Sequence, residues 1–384
     1  MMLKKYLFIL LMFFAFPSIA QVDSSRIRIS LLTCGSGQEP WETFGHTAIH
    51  ITDTIGGTDN VYNYGTFNGY DDGFLLKFVR GKLSYYLSYY PYQDFVAEYA
   101  VRHRSVREQL LQLSGSEKIQ IYNFLINNSK DENKYYQYDF FFDNCATRVR
   151  DVFKNALGNQ FAYGNVIPSS TLSYRNIINL YFYKVHWQRF GVNLLLGSKI
   201  DKNMTNMDIM FLPDYLERSI AKATLKGKPI AHPSQTIVEG SKLGGAGING
   251  PFVLTCFIGL FTVFSMMKRS WKVTRAVLKT FILFTTGVLG CIMLIMWFAT
   301  DHQGCSNNFN ILWALPTNVI AAFMHNKHKS RYALVAICLL ITSLILHILK
   351  VQELPLLEIG PILLSLLLVF GSIFRKATFQ KEER

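Results

Sequence analysis

Two short segments hold residue types capable of covalent chemistry. The first is Trp41-Glu42-Thr43-Phe44-Gly45-His46-Thr47-Ala48-Ile49-His50, where a histidine opens a strand-like stretch directly after a glycine. The second is Tyr138-Asp139-Phe140-Phe141-Phe142-Asp143-Asn144-Cys145-Ala146-Thr147-Arg148, where a cysteine stands at the start of a helical pattern. A thiol at a helix N-terminus feels the positive end of the helix dipole and unpaired N–H groups, and both favour the nucleophilic thiolate. A neighbouring imidazole completes the activation as a thiolate–imidazolium pair. The same N–H groups can stabilise an oxyanion when a carbonyl is attacked. A lone cysteine is ordinarily a small buried hydrophobe. Here Asp143-Asn144 before it and Thr147-Arg148 after it argue against an apolar surrounding.

A third group must orient the imidazole. His50 shares a strand face with His46, but four strand residues set them about 13 Å apart. A residue of the adjacent strand is better placed. Asn63, in Tyr62-Asn63-Tyr64-Gly65, is the choice, with Tyr62 or Tyr64 turned inward if the strand parity is the other one.

The elements that position these residues are legible in outline. Arg26 to Leu32 alternates weakly, as a strand would. Gly45–Thr52 and Asn60–Tyr64 are further strands, joined by the turn-forming Ile55-Gly56-Gly57-Thr58-Asp59. Asp94–Leu113 and Ser116–Asn127 read as helices, the second capped by Ser114 or Ser116. Ala146–Leu157 places Val149, Val152, Phe153 and Leu157 at helical spacing. The expected class is therefore α+β, with local helices around an antiparallel sheet.

Composition widens the picture. Half of the 384 residues are hydrophobic, 17% are charged, and the net charge is +13; the mean hydropathy is +0.17. A chain on the apolar side of zero calls for membrane segments. Residues 1–20 have the form of a signal peptide: Lys4 and Lys5, an apolar stretch from Tyr6 to Phe16, and Ser18-Ile19-Ala20 before Gln21. Residues 21–240 then form an exported domain, and 241–250 a Gly-rich linker. Apolar runs follow at 251–267, 276–300, 309–324, 332–349 and 354–374, for about five membrane helices within 251–376 and a cytoplasmic tail at 377–384. The third run is the weakest, since it contains Asn310, Pro316 and Asn318.

Basic residues cluster in alternate loops: Lys268, Arg269, Lys272 and Arg275, then Lys327, Lys329 and Arg331, then Arg375 and Lys376. The positive-inside rule places these loops in the cytoplasm and the first domain outside. The high charge is thereby accounted for, and nucleic-acid binding is not expected. Of six cysteines, Cys256, Cys291 and Cys338 lie in apolar runs. Cys34, Cys145 and Cys305 have no regular spacing, so neither a disulfide scaffold nor a metal site is expected.

The order His46, then Asn63, then Asn144-Cys145 at a helix start resembles the circularly permuted papain-like thiol enzymes of the NlpC and lecithin:retinol acyltransferase type. More closely, the chain resembles the bacterial lipoprotein N-acyltransferase family of the Lnb type, a periplasmic domain joined to a membrane domain. The matching segments are Phe44-Gly45-His46, Tyr64-Gly65-Thr66-Phe67, Val79-Arg80-Gly81-Lys82-Leu83-Ser84-Tyr85, Tyr138 through Asp151, Phe211-Leu212-Pro213-Asp214, Asp301-His302-Gln303 and Asn308 through Pro316. The resemblance implies a permuted papain-like periplasmic domain on a bacterial inner-membrane anchor. Cys145 would take an acyl chain from a membrane phospholipid as a thioester, with His46 as base, and pass it to the α-amino group of a diacylglyceryl-cysteine lipoprotein, without a cofactor. Asn144, Tyr64, Arg80, Tyr85 and His302 are the expected substrate-contacting residues. The tyrosines from Tyr85 to Tyr92 would lie at headgroup level or form an ordinary packed strand. Two other classes compete. One is a membrane-tethered cysteine peptidase or amidase of the cell envelope; the other is a non-catalytic envelope assembly component, in which Cys145 would be replaceable.

Overall fold

The structure, a computed structural model, describes residues 26–39, 42–70, 72–241, 244–324 and 326–382. The expected signal peptide at 1–20 and Trp41 lie outside the described residues. The chain opens with β1 (Ile27–Cys34), β2 (His46–Asp53) and β3 (Thr58–Phe67), followed by the short α1 (Phe74–Val79), β4 (Ser84–Pro91) and α2 (Tyr92–Val101). Next come β5 (Val106–Leu110), α3 (Gly115–Asn128), β6 (Tyr135–Gln137) and α4 (Cys145–Leu157). After β7 (Phe161–Ala162), helices α5 (Tyr174–Tyr181), α6 (His186–Leu195), α7 (Asn206–Ile209) and α8 (Pro213–Ala221) lead to β8 (Thr224–Leu225), β9 (Lys228–Pro229) and β10 (Gln235–Val238).

Seven strands form one antiparallel sheet in the order β10-β5-β1-β2-β3-β4-β6. Helices α3, α4 and α8 cover one face through Ile29, Leu31, Ile49, Ile51, Ile121, Val149 and Leu216. The other face is closed by α2, with Phe95 and Tyr99 on Leu32, Ala48 and Val61. Because β1 is buried on both faces, its sequence alternates only weakly.

Two sequence expectations change here. The helix expected over Asp94–Leu113 stops at Val101, and its second half is the strand β5. His103 sits at a φ of 53°, which breaks the helix. Arg104 then pairs with the buried Glu42 at 3.0 Å, a partner far away in sequence. The tyrosine-rich run is the strand β4, with Leu87 its one buried residue.

Beyond residues 244–249, which have no regular structure, lie α9 (Gly250–Met267), α10 (Lys272–Phe298), α11 (Asn318–Phe323), α12 (Asn326–Ile348) and α13 (Leu356–Glu382). Four of these, α9, α10, α12 and α13, are long and apolar enough to cross a membrane. Only 22–39% of each apolar window is buried in the protein, which leaves most of it to face lipid.

The third expected span, 309–324, is not a continuous helix. A 3-10 turn at Phe309–Leu312 and the short α11 flank an irregular stretch around Pro316. This stretch lies in a notch of α10: a side chain at Gly287 would collide with Val319, and one at Gly290 with the carbonyl of Ala314. Asn318 accepts from the Tyr332 hydroxyl at 2.7 Å and donates to Thr286 Oγ1 at 3.2 Å. Irregular backbone at membrane depth is tolerated where protein buries it in this way. The segment still runs lengthwise along the bundle. Phe309 bonds to Gln352 at one end, while Phe323 meets Phe284 roughly 20 Å down α10 at 1.5 Å per residue.

The two halves are joined by a polar seam. Asn308 and Asn310, both fully buried, donate to the carbonyls of Leu194, Leu195 and Asn193 at the end of α6. Arg189 pairs with the buried Glu358 of α13 at 2.7 Å, and Gly197 N–H donates to the Gly304 carbonyl at 2.9 Å.

Candidate functional site

The site forms where the sheet opens. Ladder pairing of β2 with β3 ends at Ile49–Tyr62, leaving His46–Ala48 and Asn63–Phe67 to diverge. On its other side β3 carries one extra residue relative to β4 between Asn63 and Thr66, a bulge containing Gly65 at a φ of 97°. The N-terminus of α4 enters this gap. A Cβ on Gly65 would lie 3.6 Å from Cys145 Cβ and 3.7 Å from His46 Cε1, so the glycine lies directly against both residues. Together the diverging strands and the bulge let a helix end reach residues on two strands.

Cys145 is buried in one hydrophobic cluster with Tyr64, Tyr136 and Val149, as an inert thiol would be, but its sulfur meets polar groups. Its sulfur is hydrogen-bonded to His46 and to the backbone N–H groups of Thr47 and Ala146. His46 directs Nε2 to Asn63 Oδ1 at 2.6 Å, leaving Nδ1 for the sulfur. Asn63 is held in turn by the Tyr90 hydroxyl at 3.3 Å. Burial by itself would raise the thiol's pKa; the charge and hydrogen bond of His46 and the two N–H groups outweigh it, and the Cys145 pKa falls below the ordinary thiol value. Burial likewise opposes charge on His46, but Cys145 and Asn63 overcome it and the imidazole pKa is raised. Both shifts move the pair towards thiolate and imidazolium.

Asn144, expected to contact substrate, is instead the N-cap of α4. Its Oδ1 accepts from Thr147 N–H at 2.9 Å, and its side-chain amide donates to the carbonyls of Phe140 and Phe211 at 2.8 and 2.9 Å. With all these bonds made and the residue buried, Asn144 positions the cysteine and has no group left for a ligand. The Phe211–Asp214 segment is the other half of this support, since Asp214 pairs with Arg107 at 2.9 Å.

Asp143 and Arg148 form a two-bond ion pair at 2.5 Å, and the Arg148 guanidinium lies 4.2 Å from the centre of the Tyr136 ring. Tyr136 was not anticipated from sequence. Its hydroxyl is buried without a hydrogen-bond partner and lies 4.0 Å from the position of a Gly65 Cβ, which is itself 3.6 Å from Cys145 Cβ. Burial holds its pKa well above the ordinary phenol value, so it remains a donor. A tyrosine two residues before a loop that ends in a capped cysteine was the available signal.

The other expected residues divide. Tyr64 is buried in the core that contains Cys145, its ring 6.3 Å from Tyr136. Tyr85 stacks on Tyr138 at 4.3 Å and meets Tyr136 at 6.4 Å, on the approach to the site. Arg80 and His302 come together at the end of α1 and share no hydrogen bond with Cys145, His46 or Asn63. The Arg80 carbonyl accepts from Asp301 N–H at 2.8 Å, and the His302 ring lies 3.2 and 3.1 Å from the carbonyls of Phe78 and Val79. His50 lies elsewhere, between Glu108 and Asp59 at 2.7 and 2.6 Å.

Comparison with known proteins gives a domain assignment. Residues 15–179 match the Lnb N-terminal periplasmic domain, and residues 246–381 match the Lnb transmembrane domain. No curated protein and no solved structure matches the chain. The two matched domains belong to one family, stand in order and together take in most of the sequence, with the opened sheet in the first and the long apolar helices in the second. The chain thus carries both domains of the Lnb type, a periplasmic domain followed by a transmembrane domain with four helices long and apolar enough to cross a membrane.

Proposed function

We propose that this protein is a lipoprotein N-acyltransferase of the bacterial cytoplasmic membrane, with a permuted papain-like core facing the periplasm. The observation that carries the reading is a thiol whose pKa is lowered by a neighbouring imidazole, in a domain fixed by the buried asparagines of the polar seam to helices long and apolar enough to cross a membrane. Both substrates reside in the bilayer, so this anchoring raises their effective concentration at the site.

In the first half-reaction Cys145 Sγ attacks an ester carbonyl of a phospholipid. Negative charge passes from sulfur to the carbonyl oxygen, where the Tyr136 hydroxyl is the nearby donor without a partner. The intermediate collapses with cleavage of the C–O bond. The imidazolium of His46 gives its proton to the departing glycerol oxygen, leaving a lysophospholipid and an acyl-Cys145 thioester. In the second half, the free α-amino group of a diacylglyceryl-cysteine attacks the thioester and neutral His46 accepts the amine proton. The C–S bond breaks, an amide forms, and thiolate and imidazolium are restored. Asn63 holds the ring in the tautomer and orientation that both halves require.

The test is mass spectrometry of lipoprotein N-termini from cells lacking an N-acyltransferase, complemented with wild type or Cys145→Ser. Triacylated N-termini with wild type and only diacylated ones with the variant are expected. Equal triacylation by both would remove Cys145 from the chemistry. No triacylation by stably expressed wild type would replace the transferase with an envelope hydrolase.

A further inference from the structure

We infer that Phe67, Tyr70 and helix α1 form a membrane-seated lip, which embeds its apolar side chains in the outer leaflet beside the end of α10 and admits lipid acyl chains towards Cys145. The inference starts from an anomaly. Helix α1 has no buried residue, although five of its six residues are Phe, Leu or Val. Leu75 is 72% exposed and Leu76 63%; Phe78, Val79, Phe67 and Tyr70 are exposed beside them. An apolar cluster of this kind in a water-facing domain calls for a partner.

The position of α1 identifies the partner. Its C-terminal end is tied to the loop that leaves α10, through the bonds of Asp301 to the Arg80 carbonyl and of His302 to the Phe78 and Val79 carbonyls. Gln137 clamps both sides, donating to the Gly81 carbonyl and to Asp301 Oδ2 at 2.9 Å each. Gly81, at a φ of 67°, allows the close approach: a Cβ there would lie 3.1 Å from His302 N. Asp301 stands three residues beyond Phe298, the last residue of α10, which is itself 73% exposed. The lip is therefore continuous with the lipid-facing surface of that span, at the level where it emerges. Arg80 and Lys82 directly follow the apolar residues, as suits a segment whose apolar part enters the acyl layer and whose basic end meets phosphate.

A chain of rings connects the lip with the thiolate. Phe74 lies 5.7 Å from Phe67, Phe67 lies 5.2 Å from Tyr85, and Tyr85 packs on Tyr138 and Tyr136 next to Cys145. Phe67 ends the strand whose bulge holds Gly65. An acyl chain following these rings stays in apolar contact from bilayer to sulfur. The route rests on the acyl-transfer reading; the seating of the lip does not.

The experiment places a benzophenone amino acid at Leu76 of the full-length protein in nanodiscs of phosphatidylethanolamine and phosphatidylglycerol. A second protein carries it at Ile55, which is 68% exposed at the opposite end of β3, roughly 30 Å from Phe67. Irradiation should give a phospholipid adduct at Leu76 in at least fivefold excess over Ile55. Equal yields, or a crosslinked pair of protein chains in place of the lipid adduct, would overturn the inference. The variant Leu75→Glu/Leu76→Glu should lower triacylation at least tenfold, with the pH midpoint of Cys145 alkylation unchanged as the check on folding. Unaltered triacylation by this variant would overturn the route along the rings. Lipid adducts without triacylation by wild type would keep the lip and remove the transferase; triacylation without lipid adducts at Leu76 would do the reverse.

Discussion

Cys34 and Cys145 are both buried thiols of the same domain, and burial pushes each of them up. For Cys34 the result is a pKa of about 12, because desolvation outweighs the Tyr99 hydroxyl and the Arg104 charge. For Cys145 the imidazolium and two N–H groups reverse the sign. Alkylation by iodoacetamide, followed residue by residue with peptide mass spectrometry, should separate them. Cys145 should react with a midpoint below the ordinary thiol value of about 8.5, and Cys34 should stay unmodified at neutral pH. In Asn63→Ala the Cys145 midpoint should rise, because the imidazolium loses an acceptor. In Tyr136→Phe the midpoint should hold while triacylation falls about 10- to 100-fold, since an oxyanion donor acts only after attack. A wild-type midpoint at or above 8.5 would contradict the ion pair.

At the scale of the element, the sheet carries a second histidine site with a different task. His50 lies on β2, stacked on Tyr92 at 4.0 Å, with one carboxylate at each ring nitrogen. Burial disfavours its charge, yet Glu108 and Asp59 prevail and the pKa is raised. A group with a raised folded-state pKa stabilises fully below its unfolded value, about 6.5, and loses that contribution as pH rises through the folded value. His50→Gln should therefore lower the melting temperature more at pH 5.5 than at pH 9. A deficit of about 1–3 kcal/mol is expected at the acid end, the scale of hydrogen bonds to charged groups. A deficit that is constant with pH would mean that the charge is not what holds the strands together there.

The elements also show what the sequence could and could not convey. The helix of Cys145 was legible from its apolar spacing, and Asn63 from strand adjacency to His46, because both signals are local. The strand β5 was not: its residues make a plausible helix, and only pairing with β1 and the remote Glu42 decides otherwise. Asn144 was misread as a ligand-binding residue although Asn immediately before a helix is a standard capping signal. Gly65 lay inside a recognised segment, but the bulge it permits depends on the register of β4. The lip was invisible as a membrane element because α1 is far too short to register as a span.

For the molecule as a whole, the seam between domain and bundle should be a point of weakness when only one partner is removed. Glu358 is buried in the first turn of α13, bonded to Arg189 and, at 3.0 Å, to Asn249. Arg189→Met leaves that carboxylate with less compensation and should cost on the order of 2–3 kcal/mol, the lower side of the range for a broken buried pair because Arg189 is partly exposed. Adding Glu358→Gln should restore most of the loss. Thermal unfolding of the four proteins of this cycle in detergent measures the coupling, and simple additivity would refute it.

The interrupted segment in the notch of α10 has a consequence for biogenesis. A nascent chain delivers α10 first, and that helix can partition into lipid by itself. Residues 309–324 cannot do so unaided, since Asn310, Asn318 and the backbone around Pro316 would meet hydrocarbon. Their partners arrive at different times: Thr286 and the glycine notch are synthesised before them, Tyr332 and Gln352 after them. Burial of the middle of this bundle is thus completed retroactively, once α12 and the residues that follow it have been made.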